Sequence, residues 1–180
     1  MTSPAVRVVK LGGSLLDWPE WVGPFRRWLT VQPPAADVII VGGGAIVECI
    51  RAWDRAHPMA DEMAHWLAVD AISLTAAVAA ERLSKAKLVR SLDALQLSST
   101  AAPQILDVRQ FLLEQHGKPD ALPCSWDVTS DSIAAWIAQR WPGYVFPMHG
   151  KPSSWAPSCI RVSAGSRQGG WLALAKRSRA

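Results

Sequence analysis

A lysine stands near the end of the β-branched run Val6–Leu11 (VRVVKL), and Gly12, Gly13 and Ser14 follow two residues later. Glycine lets backbone approach a ligand closely, and a helix opening after it offers unpaired N–H groups and the positive end of its dipole. A flexible ammonium at Lys10 is within reach of an anion held by those amides. A second turn of this kind, Gly42-Gly43-Gly44, ends Asp37–Val41 (DVIIV). Strand carboxyl ends share one rim in an open parallel sheet, so Lys10 and both turns are expected to converge on one ligand. Asp131, between Ser130 and Ser132 at the start of an amphipathic helix, is the carboxylate suited to orient a lysine or a metal-bound phosphate. The positive helix end keeps it ionised. A plainer role stays open for each: glycines end strands, and acids favour first helical turns, where Asp127 or Thr129 would serve only as caps.

Other chemistries find little footing. GGSLLDWPE lacks the GxxxxGK[ST] phosphate loop, and neither GGGAIV nor GSRQGG (residues 165–170) is GxGxxG. HExxH, GxSxG and Cys/His pairs at metal spacing are missing from the sequence. His65 lies one turn from Asp61, a spacing that suits titration or metal binding but suits core packing better. His57 and His116 read as solvated helix ends, and His149 carries no motif. Cys49, Cys124 and Cys159 are odd in number and widely spaced, which predicts reduced thiols.

These residues need a scaffold that presents strand ends. Val6–Leu11 and Asp37–Val41 read as buried strands. A helix is expected across Trp18, Trp21, Val22, Phe25, Trp28 and Leu29, with Pro19 and Glu20 in its first turn and Pro33-Pro34 closing it. Ala45–His57 and Asp61–Leu83 read as further helices, the second apolar on most faces and suited to packing or a dimer contact. Lys87–Val89 and Gln104–Val108 read as strands, Ala94–Pro103 as a loop, Arg109–His116 as a short helix, and Ser125–Trp141 as a polar lead into an amphipathic helix. Tyr144–Phe146, Cys159–Val162 and Trp171–Ala175 are candidate strands flanking the loop-like stretch His149–Ser158. The alternation predicts an α/β fold with a mainly parallel sheet and helices on both faces.

Composition agrees with a folded domain. The chain has 180 residues, 49% hydrophobic and 19% charged, which excludes disorder, collagen and coiled coil. Met63–Ala80 contains His65, Asp70, Ser73 and Thr75 and so reads as a core helix rather than a membrane span. Without a basic, apolar leader before Val6, the sequence predicts a cytoplasmic protein with no membrane partner. Residues 1–142 hold 13 Lys and Arg against all 15 Asp and Glu, whereas residues 143–180 hold 6 bases and no acid. Arg161, Arg167, Lys176, Arg177 and Arg179 would be the contacts to an acidic partner. No interleaving of aromatics and bases accompanies them, which argues against nucleic acid.

VVKLGGSLL (residues 8–16), IIVGGGAIV (39–47) and SWDVTSDSIAAWIA (125–138) occur in the order seen in the amino acid kinase superfamily, the aspartate, glutamate and uridylate kinases. The likeness covers residues 6–141. The AHW of residues 64–66 and the SWDVTSDS block most resemble the branch near aminomethylfuran-phosphate kinase of methanofuran synthesis. This resemblance implies a three-layer α/β/α sandwich and transfer of the ATP γ-phosphoryl, with Mg²⁺, to a small phosphate- or carboxylate-bearing acceptor. It implies that Lys10 stabilises the transferring charge, that Asp131 orients Lys10, and that Gly12, Gly13 and Ser14 cradle phosphate. Gly42, Gly43, Gly44, Thr129, Ser130 and Ser132 would face the acceptor. The family continues after the TSDS helix with a turn resembling LLKxxDG; here GYVFPMHGKPSSWAPSC follows Pro142, and Lys151 is the nearest replacement for a second lysine. The expected architecture is therefore a core over 1–142 with a divergent basic segment over 143–180 that completes the sheet, its nucleotide side reduced. The alternative is a non-catalytic kinase fold that binds a phosphorylated ligand or a partner subunit.

Overall fold

The computed structural model describes residues 5–141, 143–148 and 160–162. Its sheet has six strands: β1 (Val6–Leu11), β2 (Ala36–Val41), β3 (Lys87–Val89), β4 (Gln104–Leu106), β5 (Gly143–Met148) and β6 (Ile160–Val162), in the order β3-β4-β2-β1-β5-β6. Every neighbouring pair is parallel except β5 with β6. The helices are α1 (Val22–Thr30), α2 (Gly44–Ala56), α3 (Asp61–Arg82), α4 (Arg109–Gln115) and α5 (Ser130–Ala138). The three-layer α/β/α arrangement expected from the sequence is the one observed.

Side chains alternate between the two faces of a strand, so β1 divides its residues strictly. Val6 and Val8 join Val38 and Ile40 of β2 in one core with Phe111 of α4 and Ile133 and Ile137 of α5. Val9 and Leu11 join Ile39 and Val41 in a second core with Trp21 and with Phe25 of α1. Helix α3 serves both, through Val69 and Ile72 in the first and Ala76 and Ala79 in the second. Each fully buried Val, Ile or Phe stabilises the fold by about 1.5–3 kcal/mol. The same parity puts Lys10 on the α5 side and Arg7 on the α1 side. Arg7 donates to Asp37 Oδ1 at 2.6 Å and to the Pro33 carbonyl at 2.8 Å, tying β1 to β2 at the end remote from the glycine turns. Burial pushes the Asp37 carboxyl up against the opposing pull of Arg7.

Helix α3 is long and apolar enough to cross a membrane by length and composition alone. Its polar residues, however, have partners inside this fold: Asp70 accepts from Arg109, and Ser73 donates to Asp107 at 2.7 Å. The Thr75 hydroxyl donates to the Ile72 carbonyl at 2.9 Å.

Several boundaries differ from the sequence expectation: β4 ends at Leu106 rather than Val108, and α5 ends at Ala138 rather than Trp141. The helix expected from Trp18 begins at Val22, because the Trp21 amide donates to the Trp18 carbonyl and closes a turn with Pro19 in its second place. That turn buries Trp21. A 3₁₀ turn, Gly13–Asp17, comes before it, and a second, Leu92–Ala94, enters the expected loop. Strand β5 is six residues rather than three because it pairs with the whole of β1. Pro147 lies beyond the described pairing of β5 with β6, which ends at Val145. The pairing of β5 and β6 extends the sheet beyond residue 142. Trp171–Ala175, His149–Ser158, Cys159, Lys151 and the side chains of the basic segment lie outside the described residues.

A glycine contact fixes where β1 and β2 end. A Cβ on Gly13 would lie 2.1 Å from the Gly44 nitrogen and 2.3 Å from the Gly42 oxygen, and Gly44 itself has φ +55°. A Cβ on Gly23 of α1 would meet only the end of Arg27 at 3.6 Å. Gly13→Ala is therefore expected to cost about 3 kcal/mol or more by overpacking backbone. Gly23→Ala should be neutral or stabilise by up to about 1 kcal/mol. Urea midpoints check this; equal midpoints for the two variants would contradict contact between the turns.

Candidate functional site

The register Leu11↔Val41 brings the two glycine turns side by side at the carboxyl rim of β1 and β2. Lys10 rises beside them from the α5 face of β1. Its Nζ lies 2.9 Å from Asp131 Oδ2, with the lysine side chain 5% exposed and the aspartate 18%. Burial lowers the Lys10 pKa, and Asp131 opposes that by charge and hydrogen bond. A Cβ placed on Gly42 would be 3.5 Å from Lys10 Cε and 3.0 Å from Ser130 Oγ, so a side chain there would intrude between lysine and serine. A cleft of about 440 Å³ opens over this group, lined by Lys10, Gly12–Ser14, Gly42–Gly44, Thr129 and Ser130.

The amides of the turns are not equivalent. Gly12 N–H donates to the Met148 carbonyl at 2.9 Å and Gly42 N–H to the Leu11 carbonyl at 2.8 Å, so both extend the strand ladder. Gly13 and Ser14 open the 3₁₀ turn, and Gly44 and Ala45 open α2; amides in those positions have no acceptor within their own helix. They are the donors suited to an anion, with the positive end of α2 behind the second pair.

Asp131 owes its place to the start of α5. Thr129 Oγ1 accepts from the Ser132 amide at 3.3 Å, and Ser132 Oγ accepts from the Thr129 amide at 3.4 Å, a reciprocal capping box. Asp131 then falls in the first turn facing Lys10. Ser132 differs from the expectation: it is fully buried, closes this box and does not line the cleft. Its hydroxyl is engaged with Thr129 at the start of the turn that carries Asp131. Thr129 and Ser130 do line the cleft.

None of the described histidines and cysteines lines the cleft. His65 is buried and donates to the Ser125 carbonyl; burial is the main cause that lowers its pKa, and no Asp61 contact contributes. His116 pairs with Glu62 at 3.2 Å and approaches Cys124 Sγ at 3.8 Å. Among the described residues, no group of three or more His, Cys, Asp or Glu is arranged to hold a metal.

Sequence reasoning passed over further residues of the cleft. Asp17, Val47, Glu48, Arg51, Ala68 and Ile72 line the cleft as well. The signal was present: Val47, Glu48 and Arg51 follow Gly44 at three, four and seven residues, the spacing of one helix face.

No family model and no curated protein matches this sequence. Among solved structures, the crystal structure of uridylate kinase from Archaeoglobus fulgidus matches with a TM-score of 0.53 at 17% identity. The match covers 81% of this chain and 63% of that one. The likeness is one of fold: this chain has a kinase-like α/β architecture and spans under two thirds of that kinase's length.

The buried ammonium has a measurable consequence. Its native pKa lies below 10.5, so between the lowered value and 10.5 the unfolded chain binds more protons than the native one. Stability contributed by this group must then rise with pH across that window. The stability of the natural chain minus that of Lys10→Met should increase as pH climbs toward 10.5; a flat or falling difference would contradict dominance by burial.

Proposed function

We propose that this chain is an ATP-dependent phosphotransferase that passes the γ-phosphoryl group to a small acceptor bearing a phosphate or carboxylate. The observation that carries this reading is the Lys10–Asp131 pair at 2.9 Å beside two glycine turns in contact. Phosphoryl transfer asks little covalent help from a protein and depends on positioning and on stabilising charge spread over the phosphoryl oxygens. Lys10 supplies a cation held at one point by Asp131, in a setting dry enough for charge to act strongly. The amides of Gly13 and Ser14 hold nucleotide phosphate oxygens, and those of Gly44 and Ala45, with Ser130 and Thr129, face the acceptor. Mg²⁺ travels with the nucleotide, held by phosphate oxygens and water, so the chemistry needs no protein cage. Nucleotide use fits a cytoplasmic enzyme. The motif resemblance adds aminomethylfuran phosphate, and with it one-carbon metabolism, to the acceptors worth trying.

A second reading has its own support in the sequence after the TSDS helix, where GYVFPMHGKPSSWAPSC stands in place of a turn resembling LLKxxDG. In it the fold binds a phosphorylated ligand or a partner subunit without turnover. Met63, Leu74 and Val78 of α3 are exposed, as is Trp53 of α2, and these support a homodimer.

Mg²⁺-dependent ADP formation with a panel of small phosphates and carboxylates, aminomethylfuran phosphate included, separates the two readings. Turnover is expected, and Lys10→Ala should lower kcat by about 10²–10³-fold, as for the loss of one charge-stabilising group. Saturable ligand binding without turnover would favour the second reading. Sedimentation equilibrium should give a mass that shifts toward monomer in Leu74→Glu; a concentration-independent monomer in the natural chain would exclude the dimer.

A further inference from the structure

The phosphoryl-transfer reading leaves one cation of the cleft without a task. Arg51 lines the same cleft as Lys10, seven residues after Gly44 on one helix face. Its guanidinium lies 4.3 Å from the centre of the Trp126 ring, and its side chain is 28% exposed. Trp126 is itself held: its Nε1–H donates to Asp54 Oδ2 at 2.7 Å, and Asp54 Oδ1 accepts the Met59 amide at 2.9 Å. The Met59 amide first, and then Trp126, hold the Asp54 carboxyl below its usual range. An acceptor that stays ionised thus fixes the indole, and the indole packs against the guanidinium.

Stacking uses the face of a guanidinium and leaves its donors in the plane, the arrangement that suits carboxylate or phosphate oxygens. Among the described residues, the carboxylate paired with Arg51 is Glu48, which stands 3.5 Å away with 71% of its side chain exposed. Such a solvated pair on one helix is weak and yields readily to a ligand anion. Glu48 lies one turn toward the helix start, so the arginine arm leans back toward the Gly44 turn, as helical side chains do. Val47, Ala68 and Ile72 give the same cleft an apolar wall.

Resting on the phosphotransferase reading and narrowing it, we propose that Arg51 is the specificity-determining residue for the acceptor. Its guanidinium edge binds the acceptor's phosphate or carboxylate, while Val47, Ala68 and Ile72 receive an apolar body attached to that anion. Trp126 and Asp54 are positioning residues that act through Arg51. The acceptor class is therefore an anion with a small apolar body, not a neutral sugar or a bare oxyanion.

Two measurements on the full chain test this: steady-state kinetics with the acceptor that turns over, and calorimetric titration of phenyl phosphate, which needs no turnover. Arg51→Gln should raise the acceptor KM by about 10- to 100-fold, with kcat and the ATP KM changing less than about twofold, and Arg51→Lys should recover part of the loss. Trp126→Ala should shift the acceptor KM in the same direction, and Trp126→Phe, which keeps a stacking face, should shift it less. Phenyl phosphate should bind the natural chain at least about tenfold more tightly than Arg51→Gln, and more tightly than inorganic phosphate. An active Arg51→Gln with an unchanged acceptor KM would overturn the inference and leave the kinase reading intact. Phenyl phosphate binding that depends on Arg51, without turnover on any acceptor, would retain the anion site and defeat the kinase reading. Binding indifferent to Arg51, or no binding by the natural chain, would overturn the inference.

Discussion

A lysine ammonium buried at the rim of a sheet is the constraint that organises this molecule. Removing such a charge from water costs several kcal/mol, and Asp131 at 2.9 Å offsets much of that only while the two groups stay in register. Three unrelated features cooperate to keep them so. Strand parity sends Lys10 to the α5 face, the Thr129–Ser132 capping box sets the first turn of α5, and packing of Ile133 and Ile137 against Val6 and Val8 fixes the helix on the sheet. A buried ion pair is a poor way to gain stability, since apolar residues of similar volume do as well or better. Its place beside an open polar cleft accords with a chemical role.

The glycine turns impose the second condition. Backbone touches backbone where Gly13 meets Gly42 and Gly44, and no side chain fits between. This contact pulls two helix starts together, so their amide donors face a common space. It also divides labour among the glycines. Gly12 and Gly42 continue the ladder into the turns, and their neighbours carry the donors suited to an anion.

Much of this was legible in the sequence because it is local. The runs VRVVKL and DVIIV, each ended by glycines, announced β1, β2 and their turns; the Thr129-Ser130-Asp131-Ser132 run announced a helix start. Parallel alternation then sufficed to bring Lys10 to the second turn. What escaped was set by contacts distant along the chain. Trp18–Trp21 folded into a turn rather than a helix because Trp21 had a core to enter. The local exception is Ser132, whose hydroxyl is engaged in a reciprocal bond with Thr129 three residues earlier. Arg51 carries no motif and gains meaning only from Trp126, 75 positions later, which in turn depends on Asp54. Residue spacing within one helix could place Arg51 on the right face, but no local pattern supplies the indole beneath it.

Backbone amide shifts in a ¹⁵N-labelled sample, followed during titration with Mg²⁺·ATP, probe the gripping of phosphate most directly. The amides of Gly13, Ser14, Gly44 and Ala45 should move together and saturate, while those of Gly12 and Gly42, already bonded within the sheet, move less. Shifts confined to other parts of the chain, or none at saturating nucleotide, would contradict an anion site built from Lys10 and the two turns.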